Sequence, residues 1–89
     1  MQRRTYHFSG RVQGVGFRYT AEHIARGYPV KGYVRNLPDG RVELVMEAEE
    51  KDMDSMVAAL KQEMGRHIQR VDVSNGKATG EFADFSVRH

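Results

Sequence analysis

The chain has 89 residues, of which 39% are hydrophobic and 29% are charged, and its formal net charge is +2. This length suits one domain, residues 1–89, with a modest two-layer core. The absence of cysteine excludes a disulfide scaffold, a thiolate zinc site and a cysteine nucleophile. No stretch approaches the roughly 20 apolar residues of a membrane span, and the first residues lack the apolar run of a signal peptide. We therefore expect a cytoplasmic protein.

The N-terminal third predicts a strand followed by a helix. Tyr6, Phe8 and Val12 alternate with polar residues, which is typical of a strand with one buried face. After two glycines the period changes to that of one helical face, on Phe17, Ala21, Ile24, Ala25 and Tyr28. Gly27 and Pro29 are expected to end this helix.

The next segment predicts a hairpin. Residues 30–36 are rich in valine and tyrosine, and a third strand alternates through Val42, Leu44 and Met46. Between them, the Pro-Asp-Gly run at residues 38–40 is a turn signal, because proline presets φ and aspartate bonds its own backbone.

The last third predicts a helix and further strands. The helical spacing falls on Met53, Met56, Val57, Leu60 and Met64, with Gly65 as the expected C-terminal cap. Val71 and Val73 indicate a fourth strand, a polar turn is expected at residues 75–77, and a short last strand at Phe82, Phe85 and Val87. The order predicts an α+β, ferredoxin-like βαββαβ sandwich, with an antiparallel sheet and two helices on one face. Many unrelated functions share this fold.

Residues 13–18, here called the glycine loop, lie between the first strand and the first helix. Gly14 and Gly16 let the backbone turn tightly and let a ligand approach it. The N–H groups of such a turn and the positive end of the helix dipole can bind an anion, and Arg18 can hold two phosphate oxygens. A plain turn with a solvated arginine is the alternative. The loop is neither a dinucleotide fingerprint, since Tyr19 replaces the third glycine, nor a Walker loop.

Two segments resemble the signatures of the acylphosphatase family. They are Gly10-Arg11-Val12-Gln13-Gly14-Val15-Gly16-Phe17-Arg18 and Gly32-Tyr33-Val34-Arg35-Asn36, the latter followed by Gly40 and Val42. Both occur in the family's order and separation, and the resemblance extends over essentially the whole chain. The sequence departs from the family's usual residues at Phe8, Leu37, Ala48 and His89.

The resemblance implies a hydrolase that cleaves the carboxyl–phosphate bond of a small acyl phosphate without a metal or other cofactor. It implies that Arg18 and Asn36 are catalytic, Arg18 binding the phosphoryl group and Asn36 orienting the attacking water. The phosphate-binding residues are then Gln13, Gly14, Val15, Gly16, Phe17 and Arg18. Because a carboxylate leaves readily and the phosphoryl group can accept a proton, positioning and charge stabilisation suffice.

Several other interpretations compete with this one. The four histidines lack metal-ligand spacing, and Glu47, Glu49 and Glu50 read as a solvated charged run. RNA-recognition domains share the element order but display aromatic residues on their central strands, whereas the third strand here has none. The basic residues are also interleaved with acids, so we expect no nucleic-acid partner. We also expect no membrane partner, and we expect a monomer. A non-catalytic phosphate- or RNA-binding module remains the alternative. A domain serving carbamoyl phosphate in a larger maturation factor is disfavoured by the short length.

Overall fold

The computed structural model describes all residues, 1–89, as two helices packed on a five-stranded sheet. The strands are β1 (Gln2–Gly10), β2 (Lys31–Asn36), β3 (Val42–Ala48), β4 (Ile68–Lys77) and β5 (Phe85–Arg88), and the helices are α1 (Phe17–Ala25) and α2 (Glu50–Met64). A 3₁₀ turn, Gly65–His67, follows α2. Neither helix has the length and apolar character needed to cross a lipid bilayer.

The strands lie in the order β4-β1-β3-β2-β5. Every neighbouring pair is antiparallel except β2 and β5, which run parallel. The predicted ferredoxin-like fold is therefore confirmed. The difference from the prediction is the parallel last pair, which makes the sheet mixed. The short last strand predicted at Phe82, Phe85 and Val87 forms β5 beside β2, but Phe82 lies outside it.

The core lies between the helices and one face of the sheet. Strand residues alternate between faces, and the even-numbered positions of β1 and β3 point inward, including Phe8, Leu44 and Met46. The methionine-rich stripe predicted for the second helix is buried as expected. Each large side chain buried in this way contributes about 1.5–3 kcal/mol of transfer free energy. The sequence pattern of the two helices and three strands thus follows directly from this single core.

Two predicted boundaries differ from the structure. The fourth strand does not end at the polar residues 75–77, because Gln2, Arg3 and Arg4 of β1 pair with Lys77, Gly76 and Asn75 of β4. The predicted turn there is therefore wrong. Gly65 does end α2, but its backbone is right-handed (φ −55°, ψ −35°) rather than the left-handed form typical of a glycine cap. The chain consequently continues into the 3₁₀ turn.

The predicted solvated run before α2 is correct for Glu49 and Glu50 but wrong for Glu47. Glu47 is only 3% exposed. Its carboxylate accepts hydrogen bonds from the N–H groups of Thr79 (2.8 Å) and Gly80 (2.9 Å), from the Thr79 hydroxyl (3.0 Å) and from Arg3 (3.2 Å). These donors offset the cost of burying the charge. They also fix Thr79 and Gly80 against the face of the sheet opposite the helices.

The topology brings three segments to one edge of the sheet. β1 ends at Gly10 and leads into the glycine loop, and β2 ends at Asn36. Because β5 runs parallel to β2, the chain's last residue, His89, reaches the same edge. Residues distant in sequence are therefore assembled around the start of α1.

Candidate active site

The glycine loop presents main-chain donors that nothing in the protein uses. Gly14 (φ +77°) and Gly16 (φ +80°) take left-handed conformations, and Gly16 precedes α1 without a side-chain cap. The N–H groups of residues 14–18 have no hydrogen-bond partner within the chain. Such unsatisfied groups at a helix start are ordinarily bound by a cap, water or ligand. An anion is the ligand best matched to them, because they carry the positive end of the helix dipole.

Arg18 lies in the first turn of α1 and forms no ion pair with any carboxylate. Its only polar contact joins its guanidinium nitrogen to Nδ1 of His89 at 3.2 Å. Most arginines on the strands and the turn are paired instead, as Arg35 is with Glu43 (2.8 Å) and Arg41 with Asp39 (2.8 Å). The Arg18 charge is thus available to a ligand, beside the free N–H groups.

Asn36 shares a cavity with the loop and Arg18. This cavity has a volume of about 180 Å³ and is lined by Val12, Gly14, Gly16, Phe17, Arg18, Tyr19 and Asn36. The Asn36 side chain makes no hydrogen bond within the chain, so both its donor and its acceptor face the cavity unused. The two side chains expected to be catalytic are therefore brought together from α1 and β2.

Gln13 joins the glycine loop to the turn that follows Asn36. Its side-chain amide donates to the carbonyl oxygens of Leu37 (2.8 Å) and Arg41 (2.9 Å). These two residues close the β2–β3 turn, since the Leu37 N–H also donates to the Arg41 carbonyl at 2.8 Å. The two sides of the cavity are consequently held at a fixed separation by side-chain and main-chain bonds.

The turn itself is kept rigid by Asp39. Its carboxylate accepts from the N–H group of Arg41 (3.1 Å) and from the Arg41 guanidinium (2.8 Å). These bonds hold the pKa of Asp39 below its ordinary value, so the group stays ionised at neutral pH. This confirms the turn expected at the Pro-Asp-Gly run.

Among the phosphate-binding residues expected from the sequence, Gly14, Gly16, Phe17 and Arg18 line the cavity. Gln13 directs its side chain to the turn, and Val15 exposes its side chain to solvent. Three further participants were missed: the Gln13 amide as a link, His89 beside Arg18, and Tyr19 as a cavity wall. None of these three contacts leaves a local pattern in the sequence.

No group of three or more histidine, aspartate or glutamate side chains is close enough to hold a metal ion. The only histidine that is hydrogen-bonded to a cavity-lining side chain is His89. His7 lies on the sheet face opposite the helices, where it bonds Glu43 at 2.9 Å. The titratable side chains that line the cavity are thus Arg18 and Tyr19, and His89 contacts Arg18.

Comparison with known proteins agrees with this geometry. Residues 4–87 match the family model described as Acylphosphatase. The chain is 44% identical over 88 residues to an acylphosphatase from Roseiflexus sp., covering 98% of this chain and 95% of that protein. It superposes on the crystal structure of acylphosphatase from Bacillus subtilis with a TM-score of 0.88, 31% identity and full coverage of both chains. It also matches T.kodakarensis HypF (TM-score 0.84, 30% identity), covering 99% of this chain but 12% of that one. The chain belongs to the acylphosphatase family and is, as a member of it, a hydrolase.

Proposed function

We propose that the chain hydrolyses acyl phosphates to a carboxylate and inorganic phosphate by in-line attack of water. The phosphoryl group binds to Arg18 and to the main-chain N–H groups of residues 13–17, and Asn36 orients the water. The observation that carries this proposal is the common cavity, in which unpaired N–H groups, an arginine without a carboxylate and an asparagine without a partner meet.

The chemistry needs few groups. Water attacks phosphorus, a new P–O bond forms, and the bond between phosphorus and the acyl oxygen breaks. The departing carboxylate is a weak base and needs no general acid, and a phosphoryl oxygen can take the proton from the water. Arg18 and the N–H groups would stabilise the charge on the equatorial oxygens, which is the main task in phosphoryl transfer.

Asn36 suits the second task because its side-chain oxygen can accept a hydrogen bond from the water and so hold it in place. The Gln13 link fixes the end of β2 relative to the loop, and a small error in such positioning lowers rates strongly. A rigid connection between the two sides of the cavity therefore supports attack by a held water.

The test is phosphate release from benzoyl, acetyl and carbamoyl phosphate in the presence of EDTA, together with binding of inorganic phosphate. Arg18→Ala should lower kcat/KM by about 10³-fold or more and abolish phosphate binding. Asn36→Ala should lower kcat by about 100-fold or more and leave phosphate binding unchanged. EDTA should change neither quantity.

Arg26→Ala is the matched control, because Arg26 belongs to the C-terminal end of α1 and pairs only with Glu22 at 3.5 Å. It should behave as wild type. Wild-type turnover by purified Arg18→Ala would contradict the assignment. A wild-type chain that binds phosphate but cleaves none of the three substrates would favour the non-catalytic alternative.

A further inference from the structure

Tyr19 stands out as a large aromatic side chain left in solvent at the active site. It is the third residue of α1 and is 61% exposed. Its neighbour in the glycine loop, Val15, is also an exposed hydrophobic residue. Exposing apolar surface is unfavourable unless a partner covers it. The side of the site next to Arg18 is therefore apolar.

Tyr19 belongs to two cavities. It is one wall of the cavity that holds Arg18 and Asn36. It is also one wall of an open cleft of about 480 Å³, whose other lining residues are Thr20, His23, Ile24 and Glu63. The two spaces are thus adjacent across a single ring. A molecule anchored by its phosphoryl group in the first can extend over Tyr19 into the second.

The size of the first cavity makes such an extension necessary for a bulky substrate. A single benzene ring fills an apolar cavity of about 150 Å³. A cavity of about 180 Å³ is therefore little larger than one aromatic ring, and a phosphoryl group and a water also have to fit in it. An acetyl group is small enough to remain near the phosphate without reaching the cleft.

The lining of the cleft combines apolar and polar surface. Tyr19 and Ile24 supply the apolar part. The side chains of Thr20, His23 and Glu63 make no hydrogen bond or ion pair in the structure. These polar groups can therefore bind polar substituents of an extended acyl group.

We propose that this cleft is the acyl-binding subsite and that Tyr19 is its specificity-determining residue, favouring aromatic and extended acyl phosphates over acetyl phosphate. The inference rests on the proposed hydrolysis of acyl phosphates and adds the class of acyl group. The ring of Tyr19 supplies the contact, by stacking or edge-to-face packing against the acyl group. Its hydroxyl makes no hydrogen bond in the protein and is not required.

The experiment compares kcat/KM for benzoyl and acetyl phosphate in wild type, Tyr19→Ala and Tyr19→Phe. Tyr19→Ala should lose about tenfold in kcat/KM on benzoyl phosphate and clearly less on acetyl phosphate, which does not reach the cleft. Its inhibition by inorganic phosphate should equal that of wild type, because the phosphate-binding groups are intact. Tyr19→Phe should keep the wild-type ratio between the two substrates.

Val73→Ala serves as the matched control, since Val73 is another exposed hydrophobic residue (50%) but lies on β4 away from both cavities. It should leave both rates unchanged. Equal losses on both substrates in Tyr19→Ala, or no loss on either, would overturn the subsite. A wild-type chain inactive on both substrates would instead overturn the proposed function. The two failures are therefore distinguishable.

Discussion

The molecule surrounds a negative charge with the same kinds of donor in two regions. At Glu47, two main-chain N–H groups, a hydroxyl and Arg3 bind a carboxylate of the protein itself. At the glycine loop, main-chain N–H groups and Arg18 are arranged without any carboxylate from the chain. The first site is buried and filled, and the second opens into a cavity.

The two sites use the same types of donor and differ in whether a carboxylate of the chain accepts from them. A site that holds such a carboxylate is structural, and one that holds none can bind a ligand. Arg3 is shared between Glu47 and Glu81, and its guanidinium also lies over the Phe82 ring at 5.1 Å. Arg18 has a single polar contact, with an imidazole nitrogen, which supplies no negative charge. We therefore expect changes at the first site to alter stability and changes at the second to alter ligand binding.

The largest expected effect on stability comes from removing the buried carboxylate of Glu47. Removing one partner of a buried ion pair costs roughly 3–5 kcal/mol. Since Arg3 is 27% exposed and can be partly rehydrated, Glu47→Ala should lower the free energy of unfolding by about 3 kcal/mol, measured by urea denaturation. Glu49→Ala, an exposed neighbour, should stay within about 0.5 kcal/mol of wild type. Equal stability of the two variants would contradict the comparison.

A smaller loss of stability is expected when the pH is lowered. Burial raises the pKa of Glu47, but hydrogen bonds from Thr79, Gly80 and Arg3 outweigh it, so the pKa lies below its ordinary value. The folded chain then binds fewer protons than the unfolded chain near that pKa. The stabilisation is complete above the ordinary carboxyl pKa and is lost as pH falls through the folded one.

The free energy of unfolding, measured from about pH 6 down to about pH 3, should therefore fall more steeply for wild type than for Glu47→Gln, which cannot ionise. Glu49→Gln should keep the wild-type slope. Identical slopes for wild type and Glu47→Gln would mean that the pKa of Glu47 is not lowered by folding.

The smallest effects distinguish the two arginines. Arg3→Ala should lower the free energy of unfolding by about 1.5 kcal/mol, because it removes a charge-assisted hydrogen bond to Glu47 but leaves the donors from Thr79 and Gly80 in place. Arg18→Ala should stay within about 0.5 kcal/mol of wild type. Differential scanning calorimetry at pH 7 without phosphate checks both. If Arg18→Ala were the less stable variant, Arg18 would have a structural role that this comparison denies it.

Most of the fold could be predicted from the sequence because it depends on local periodicity. The methionine stripe of α2, the alternation of β3 and the Pro-Asp-Gly turn each report a burial pattern within a few residues. The end of β4 could not be predicted, since polar residues 75–77 stay in strand form only because β1 pairs with them. The burial of Glu47 could not be predicted for the same reason, because its hydrogen-bond partners lie 32 and 33 residues farther along the chain.

The candidate site also contains some residues that could be predicted from the sequence and some that could not. Arg18 and Asn36 could be predicted from two segments with distinctive residue patterns, and the structure places both at one cavity. The contacts of Gln13 and His89 span 24 to 71 residues and leave no local pattern. The position of Tyr19 at the cavity could not be predicted, because a solvent-exposed helical residue does not belong to a periodic apolar pattern.

The contacts of Gln13 carry an implication for how the sequence can vary. Its amide donates hydrogen bonds to main-chain carbonyl oxygens, which every amino acid possesses. Residues 37–41 can therefore be exchanged without losing these hydrogen bonds, as long as the turn keeps its shape. Gln13 has no such freedom, because glutamate offers no N–H and a shorter asparagine falls short of both oxygens. The residues around the candidate active site can therefore change, or be redesigned, while Gln13 is kept.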